Sequence, residues 1–276
     1  MAVTNPAPPT GRRPDSPSRL ELVLRQVEYW KTVYLRTWKG SAVSSFVTPL
    51  LYVAAMGLLL GGFIDSGDAQ LEGAPTYLAY IAPGLLAAHV MQTAVGEVLW
   101  PVMGMIKWNK TYIGMIATPL GIKDIVAAHF GFVLFRVGTT AAVFMVVLAF
   151  FGVYTSLSGA LAAFAVQLLI GLAFGTLLYA YSAGLKSEAG FALVYRLGVV
   201  PLFLFSGAFF PISNLSAPLE WLARVTPLWH GVDLTRMLTL GNVDVGLALV
   251  HVVYLLAMVA VGWWLAVRRL HRRLVV

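Results

Sequence analysis

Charge is scarce in this chain of 276 residues: Asp, Glu, Lys and Arg together make up 11%. Soluble domains carry about 25%, so the chain cannot build an ordinary water-facing surface. Cysteine is absent, which excludes disulfide frameworks and thiolate metal sites. There is no GxxxxGK[ST] phosphate loop, so the chain has no such device for holding ATP. Neither a G-x-S-x-G elbow nor a zinc-ligand spacing occurs, so no activated nucleophile and no metal centre is expected. The start, MAVTNPAPPTGRRPDSPSRLE, lacks the apolar core of a cleavable signal peptide. Its Pro, Ser and polar content predicts a disordered cytoplasmic tail over 1–18.

What the chain has instead is apolar length. Hydrophobic residues are 59% of it, in six runs at about 41–63, 77–100, 125–152, 159–185, 191–210 and 246–267. Each is long enough to cross a hydrocarbon core of about 30 Å as a helix. Helices satisfy their own backbone groups in lipid, and sustained runs do not match the alternation of a membrane barrel. The expected fold is all-α and integral to the membrane, with six transmembrane helices and no large soluble domain.

The net charge of +7 is distributed by side. Arg12, Arg13, Arg19, Arg25, Lys31, Arg36 and Lys39 precede the first run. Lys107, Lys110 and Lys123 follow the second, Lys186 the fourth, and Arg268, Arg269, Arg272 and Arg273 the last. The alternate loops hold Asp65, Asp68 and Glu72, then the uncharged VYTSLS, then a segment with Arg224 and Arg236. Lys and Arg concentrate on the cytoplasmic side of membrane proteins, so both termini are expected there, in the cell (inner) membrane. The basic surplus then faces anionic lipid headgroups, and no nucleic-acid partner is expected.

Three segments are not spans. Over 20–39, apolar residues Leu20, Val23, Leu24, Val27, Trp30, Tyr34, Leu35 and Trp38 recur at steps of three and four. This predicts an amphipathic helix along the interface, anchored by Trp30, Tyr34 and Trp38. Over 102–124, VMGMIKWNKTYIGMIATPLGIKD, Gly and Lys break spanning character and Thr118-Pro119-Leu120-Gly121 marks a turn. The part before the turn reads either as a plain loop or as a short helix with apolar knobs that enter a socket on another protein. The third is FFPISNLSAPLEWLARVTPLWHGVD, 209–233, with three prolines and two tryptophans. Ser216 is placed to cap a helix starting near Ala217-Pro218, Pro227 to stop it, and a second helix is expected from about His230 to Leu240. So apolar a loop is expected to re-enter the membrane near a pathway exit.

Polar residues inside the runs are candidates for function. Glu97, Arg136 and Arg196 are costly at membrane depth and are expected to pair, Glu97 with one or the other arginine, as a static ion pair or as a conformational latch. His89 and Gln92, a turn apart, line a pathway or bond to a neighbouring helix. Phe209, Phe210 and Pro211 are the candidate outer gate, with Trp221, His230 and Asp233 beside them. Small residues Gly171, Gly175 and Ser182 allow close helix approach. An outer-face membrane transferase is the alternative reading, and His230 with Asp233 would be its only catalytic polar pair.

Taken together, and above all in LFLFSGAFFPISNLSAPLEWLARVTPLWHGVDLTR, 202–236, the chain resembles the permease subunit of ABC transporters of the ABC-2 type. Its S-G-x-F-F-P run, short helix and P-L-x-H/x-x-x-D-x-x-R ending look closest to the branch holding nodulation-factor, lipo-oligosaccharide and drug exporters. The resemblance extends over residues 19–276. It implies a homodimer of six plus six helices on two copies of a separate cytoplasmic ABC ATPase, which would hold ATP and Mg²⁺, this chain binding no cofactor itself. It makes 20–39 the interface helix and Met105, Ile106, Trp108, Lys110, Tyr112 and Ile113 the coupling helix. The segment 209–233 becomes re-entrant helices closing the outer end, and the cargo an amphiphilic or lipid-linked molecule moved outward.

Overall fold

The computed structural model describes residues 19–64 and 71–275, with backbone alone at 19, 20, 22, 23, 41, 44 and 58. The expected tail 1–18, and Asp65 and Asp68, lie outside the described residues. So do the side chains of Leu20 and Val23. Every regular element among the described residues is helical.

The first helix, α1 (Arg19–Tyr52), runs on through a π-helical stretch, Val53–Leu60, and a last turn, Gly61–Ile64. The expected separation of an interface helix from a first span at residue 40 does not occur. A single glycine costs a helix about 1 kcal/mol, too little to break one with helix-forming flanks. At 1.5 Å per residue the rod is roughly 70 Å long, over twice the hydrocarbon core of about 30 Å. Its first half must therefore leave the core or run along the boundary.

Eight more α-helical rods follow among the described residues, besides one 3-10 turn, Ile212–Asn214. They are α2 (Tyr77–Met103, continued through Gly104–Trp108), α3 (Thr111–Ile116), α4 (Ile122–Phe150), α5 (Leu157–Gly184), α6 (Ala189–Phe205), α7 (Ala217–Val225), α8 (Pro227–Leu240) and α9 (Val245–Leu274). Five of the rods are long and apolar enough to cross a membrane: Ser45–Ile64, Tyr77–Trp108, Ile122–Phe150, Leu157–Gly184 and Val245–Leu274. The remaining apolar run yields α6, which stops at Phe205 rather than near 210. Gly207 adopts a φ of +75° there, a left-handed turn that suits glycine.

Helix starts follow local chemistry. Thr76 accepts from the Ala79 amide at 3.2 Å, Ser156 from Gly159 at 3.0 Å and Asp244 from Leu247 at 3.1 Å, each satisfying a free first-turn donor. Ser216 occupies the cap position of α7 but makes no side-chain cap bond. Pro227 opens α8 instead of merely ending α7, because proline's fixed φ suits a first helical turn.

In the bundle, α5 is central and packs on α2, α4, α8 and α9. Lipid removes the hydrophobic drive between such helices, so small residues and hydrogen bonds hold them. Gly171 faces the Val137 methyls, and the Ser182 hydroxyl donates to the Leu99 carbonyl at 2.7 Å. Gly262 on α9 leaves room for Thr176. The start of α1, the start of α4, α3 and the end of α9 share the basic end. The loop 71–76, the turn 206–211, α7 and α8 form the far end.

Candidate functional site

At the basic end, α3 is held from inside. Its Tyr112 is fully buried and bonds His129 Nδ1 on α4 at 2.8 Å. His129 Nε2 reaches the Glu97 carbonyl on α2 at 3.1 Å. A carbonyl only accepts, so Nε2 carries the proton, Nδ1 is a lone pair, and the Tyr112 hydroxyl donates. Burial pushes the Tyr112 phenol well above its ordinary value, which keeps it a donor. The Glu97 carboxylate pairs with Arg136 Nε at 2.7 Å, and the Arg136 guanidinium lies 5.6 Å from the Tyr34 ring centre. Arg196 is exposed on α6 and makes no ion pair among the described residues.

The six residues expected on a docking face divide. Met105, Ile106 and Tyr112 are buried in the bundle, whereas Trp108, Lys110 and Ile113 are exposed. The three interface aromatics divide too. Trp30 is buried, stacked on Phe132 at 4.4 Å and edge-on to His129 at 4.9 Å. Tyr34 is half-buried against Phe135, and Trp38 is exposed. Trp30 thus packs helix on helix, and only Trp38 is free to face a boundary.

Between the ends, α2 is the most enclosed rod, with 78% of its apolar window buried. Its uncovered positions fall on one stripe. His89 is half-buried, Gln92, Gly96 and Trp100 are exposed, and Glu97 is part-exposed beside them. Steps of three and four place them on one helix face. That face is polar although the rod lies at membrane depth.

The far end is fastened by a residue pair that the sequence reading did not single out. Arg236 of α8 is 5% exposed, and its guanidinium lies 4.0 Å from the Tyr80 ring centre. It donates to the Gly207 carbonyl at 2.6 Å and the Tyr80 carbonyl at 3.4 Å, and pairs with Glu72 at 3.0 Å. Burial raises the Glu72 carboxyl above its ordinary value, and the Arg236 charge opposes that. The Tyr80 hydroxyl also donates to Gly207, and Tyr77 to the Phe209 carbonyl, both at 3.1 Å. These bonds set the S-G-A-F-F-P turn on α2, where a side chain at Gly84 would lie 2.5 Å from the Ala208 Cα. Phe209 and Phe210 are half-buried in this turn, Pro211 is buried, and Trp221 on α7 is exposed.

His230 and Asp233 are joined through a third group, His251 of α9. His251 Nε2 lies 3.0 Å from Asp233 Oδ2, and its Nδ1 lies 2.7 Å from His230 Nδ1. The carboxylate fixes the His251 proton on Nε2, so His251 Nδ1 accepts and His230 Nδ1 donates. Tyr254 stacks on His230 at 4.0 Å and donates to the Val225 carbonyl at 2.8 Å. Together these contacts fasten α8 and the end of α7 to α9. His129 and His251 had one signal in the sequence, a histidine inside an apolar run. Their partners Tyr112, Glu97, His230 and Asp233 were candidates on other grounds, but nothing announced the pairings, 17 to 32 positions apart.

A helical multi-pass bundle, with a polar stripe on its most enclosed rod and a fastened cap over one end, is the build of a membrane transporter. The comparisons with known proteins agree: the ABC-2 type transporter family matches residues 25–240. The chain is 30% identical to nodulation protein J of Rhizobium leguminosarum bv. trifolii over 91% of its length and 94% of the relative's. It is 28% identical to nodulation protein J of Rhizobium meliloti strain 1021, over 90% and 93%. With that protein of Bradyrhizobium diazoefficiens it shares 26% identity, over 75% and 78%. The chain belongs to the ABC-2 type transporter family and is the membrane subunit of an exporter of that class.

Proposed function

We propose that two copies of this chain form a permease driven by two copies of a separate cytoplasmic ABC ATPase subunit, which binds ATP and Mg²⁺. The basic end and both termini face the cytoplasm across the inner membrane, because Lys and Arg concentrate there. The cargo is an amphiphilic or lipid-linked molecule, of the lipo-oligosaccharide, drug or polysaccharide kind, moved outward. The relatives' name, nodulation protein J, and the mixed apolar and polar α2 stripe support that class. His89 and Gln92 would then face the cargo, with the Glu97–Arg136 pair as a latch below them. Arg196, exposed on the short α6, would face the same pathway or the second copy.

The observation that carries this reading is the two-faced segment from the end of α2 through α3. Trp108, Lys110 and Ile113 are exposed while Tyr112 is anchored to His129. ATPase closure would press on the exposed face and move the bundle through Tyr112. Net transport requires that the cargo bind the two packings of the bundle differently. The transferase reading gains no support from the far end, where His230, His251 and Asp233 satisfy one another.

The test is co-purification in mild detergent with the ATPase subunit, with vanadate-sensitive ATP hydrolysis assayed in the complex. Trp108→Asp and Ile113→Asp are expected to lose the subunit while the chain stays folded. An intact chain that never retains an ATPase would end the proposal.

A further inference from the structure

Where α4 and α9 diverge at the basic end they leave a groove of about 1120 Å³, roofed by the turn between α3 and α4. Lys123, in the first turn of α4, is on one wall. Arg268 and Arg272 of α9 are on the other, with His271 between them. Trp264, Arg268 and Arg272 are spaced by four and share one helix face. The Arg268 guanidinium lies 5.0 Å from the Trp264 ring centre. Trp264 is 56% exposed, as befits a residue at the membrane–water boundary. Trp263 and Val267 supply an apolar floor.

The charge in this groove is one-sided. Among the described residues its single carboxylate, Asp124, already accepts from the Gly121 amide at 3.1 Å. Lys123, Arg268 and Arg272 form no ion pair among the described residues. Neighbouring Arg269 differs: it donates to the Ala180 carbonyl at 3.3 Å and does not line the groove. Three cations without a carboxylate partner, lining one groove at a membrane boundary, suit an anion, and an apolar floor beneath them suits a ligand with a greasy continuation.

We propose that this groove is a binding site for an anionic phospholipid, its phosphate held by Lys123, Arg268 and Arg272 and its glycerol and upper chains against Trp263 and Val267. Basic pockets between spanning helices bind such headgroups, and guanidinium forks match phosphate oxygens. The site is distinct from the diffuse attraction of all basic residues to the membrane surface, because these side chains line the two walls of one groove. It does not depend on the ATPase partner.

Native mass spectrometry of the full-length chain in micelles holding equal amounts of phosphatidylglycerol and phosphatidylcholine tests it. The parent chain is expected to retain phosphatidylglycerol selectively. Lys123→Gln should reduce that retention about tenfold, the effect of losing one charge-assisted bond, and the double variant R268Q/R272Q, which loses two, should reduce it further. Arg36→Gln, the same one-charge loss as Lys123→Gln but on α1, should leave it unchanged, and the charge-conserving R268K/R272K should keep most of it. Equal retention in the Gln variants would overturn the proposal. So would equal loss in Arg36→Gln, or equal loss in R268K/R272K. Excess inorganic phosphate should not displace the lipid; full displacement would make this a free-anion site and refute it. Loss of a co-purifying ATPase subunit from R268Q/R272Q with lipid retention intact would make it a protein seat and refute it as well.

Discussion

At the basic end, one phenol ties α3 to the bundle, Tyr112 to His129, while Ile113 on that helix and Trp108 and Lys110 just before it stay uncovered. At the far end, one guanidinium holds two carbonyls, a carboxylate and a ring face at once. The first arrangement gives a short helix one buried pivot and a free face. The second over-determines a turn, so that it moves only when several bonds yield together. On the proposed function that asymmetry would serve a machine loaded at one end and gated at the other: a compliant receiver and a stiff closure.

The largest effect should come from the stiff end. Arg236→Met removes the cation facing the exposed Glu72 carboxylate and a charged donor from the Gly207 and Tyr80 carbonyls, at about 2–3 kcal/mol for losing charge-assisted bonds from a buried guanidinium. Thermal unfolding in detergent reads it. Arg236→Lys should recover less than half, since an ammonium lacks the planar fork and the stacking on Tyr80. An unshifted melt in Arg236→Met would remove Arg236 as the fastening of the far end.

Next is Gly84→Ala. The new methyl meets the Ala208 backbone, and overpacking of this kind costs about 1–3 kcal/mol. The same melt, together with faster labelling of a cysteine placed at Phe210, would show the turn displaced from α2. Parent-like stability and labelling would mean that the turn sits less tightly than the contacts imply.

At the compliant end, His129→Phe leaves a buried Tyr112 hydroxyl without a partner, at about 1–2 kcal/mol. A cycle with Tyr112→Phe should show strong coupling, the second change adding little to the first. Additive losses would mean that α3 is held by something other than this bond. ATP-driven transport should fall further than the melting temperature does, because the pivot is lost while the bundle remains.

The smallest effect is in pH. Burial raises the Glu72 carboxyl above 4.5 against the pull of Arg236, so the folded protein favours the protonated form relative to the unfolded chain. The contribution from Glu72 is therefore full below pH 4.5 and is lost as pH rises through the raised value. Melting temperatures of the parent chain should drift downward relative to Glu72→Gln as pH rises from 4.5 to neutrality. A drift of opposite sign would mean that Arg236 outweighs burial.

Much of this architecture was legible in the sequence because it depends on local pattern. Apolar runs, basic clusters and the prolines of 209–233 each act on their own neighbourhood. What was not legible depends on which helices meet. Glu97 could have reached Arg136 or Arg196, and only the packing of α2 on α4 decides for Arg136. Glu72 and Arg236 are 164 positions apart, and nothing in either neighbourhood announces the other. Residue 40 misled for the opposite reason: a local change, from an amphipathic to an apolar stretch, does not interrupt a helix that continues on both sides. Met105, Ile106 and Tyr112 show a third limit. Their apolar character was read correctly, but whether a knob points into its own bundle or toward a partner is a property of the assembled helices.

The most direct test of the central claim, that the uncovered face of α3 receives the ATPase, is a single-cysteine cross-link, which a chain without Cys makes clean. Ile113→Cys, exposed, and Ile106→Cys, buried, would each be joined with a short bifunctional reagent to the co-expressed ATPase subunit. The account predicts an adduct from position 113 and none from 106. No adduct from 113 in a complex that hydrolyses ATP, or equal adducts from both, would contradict it.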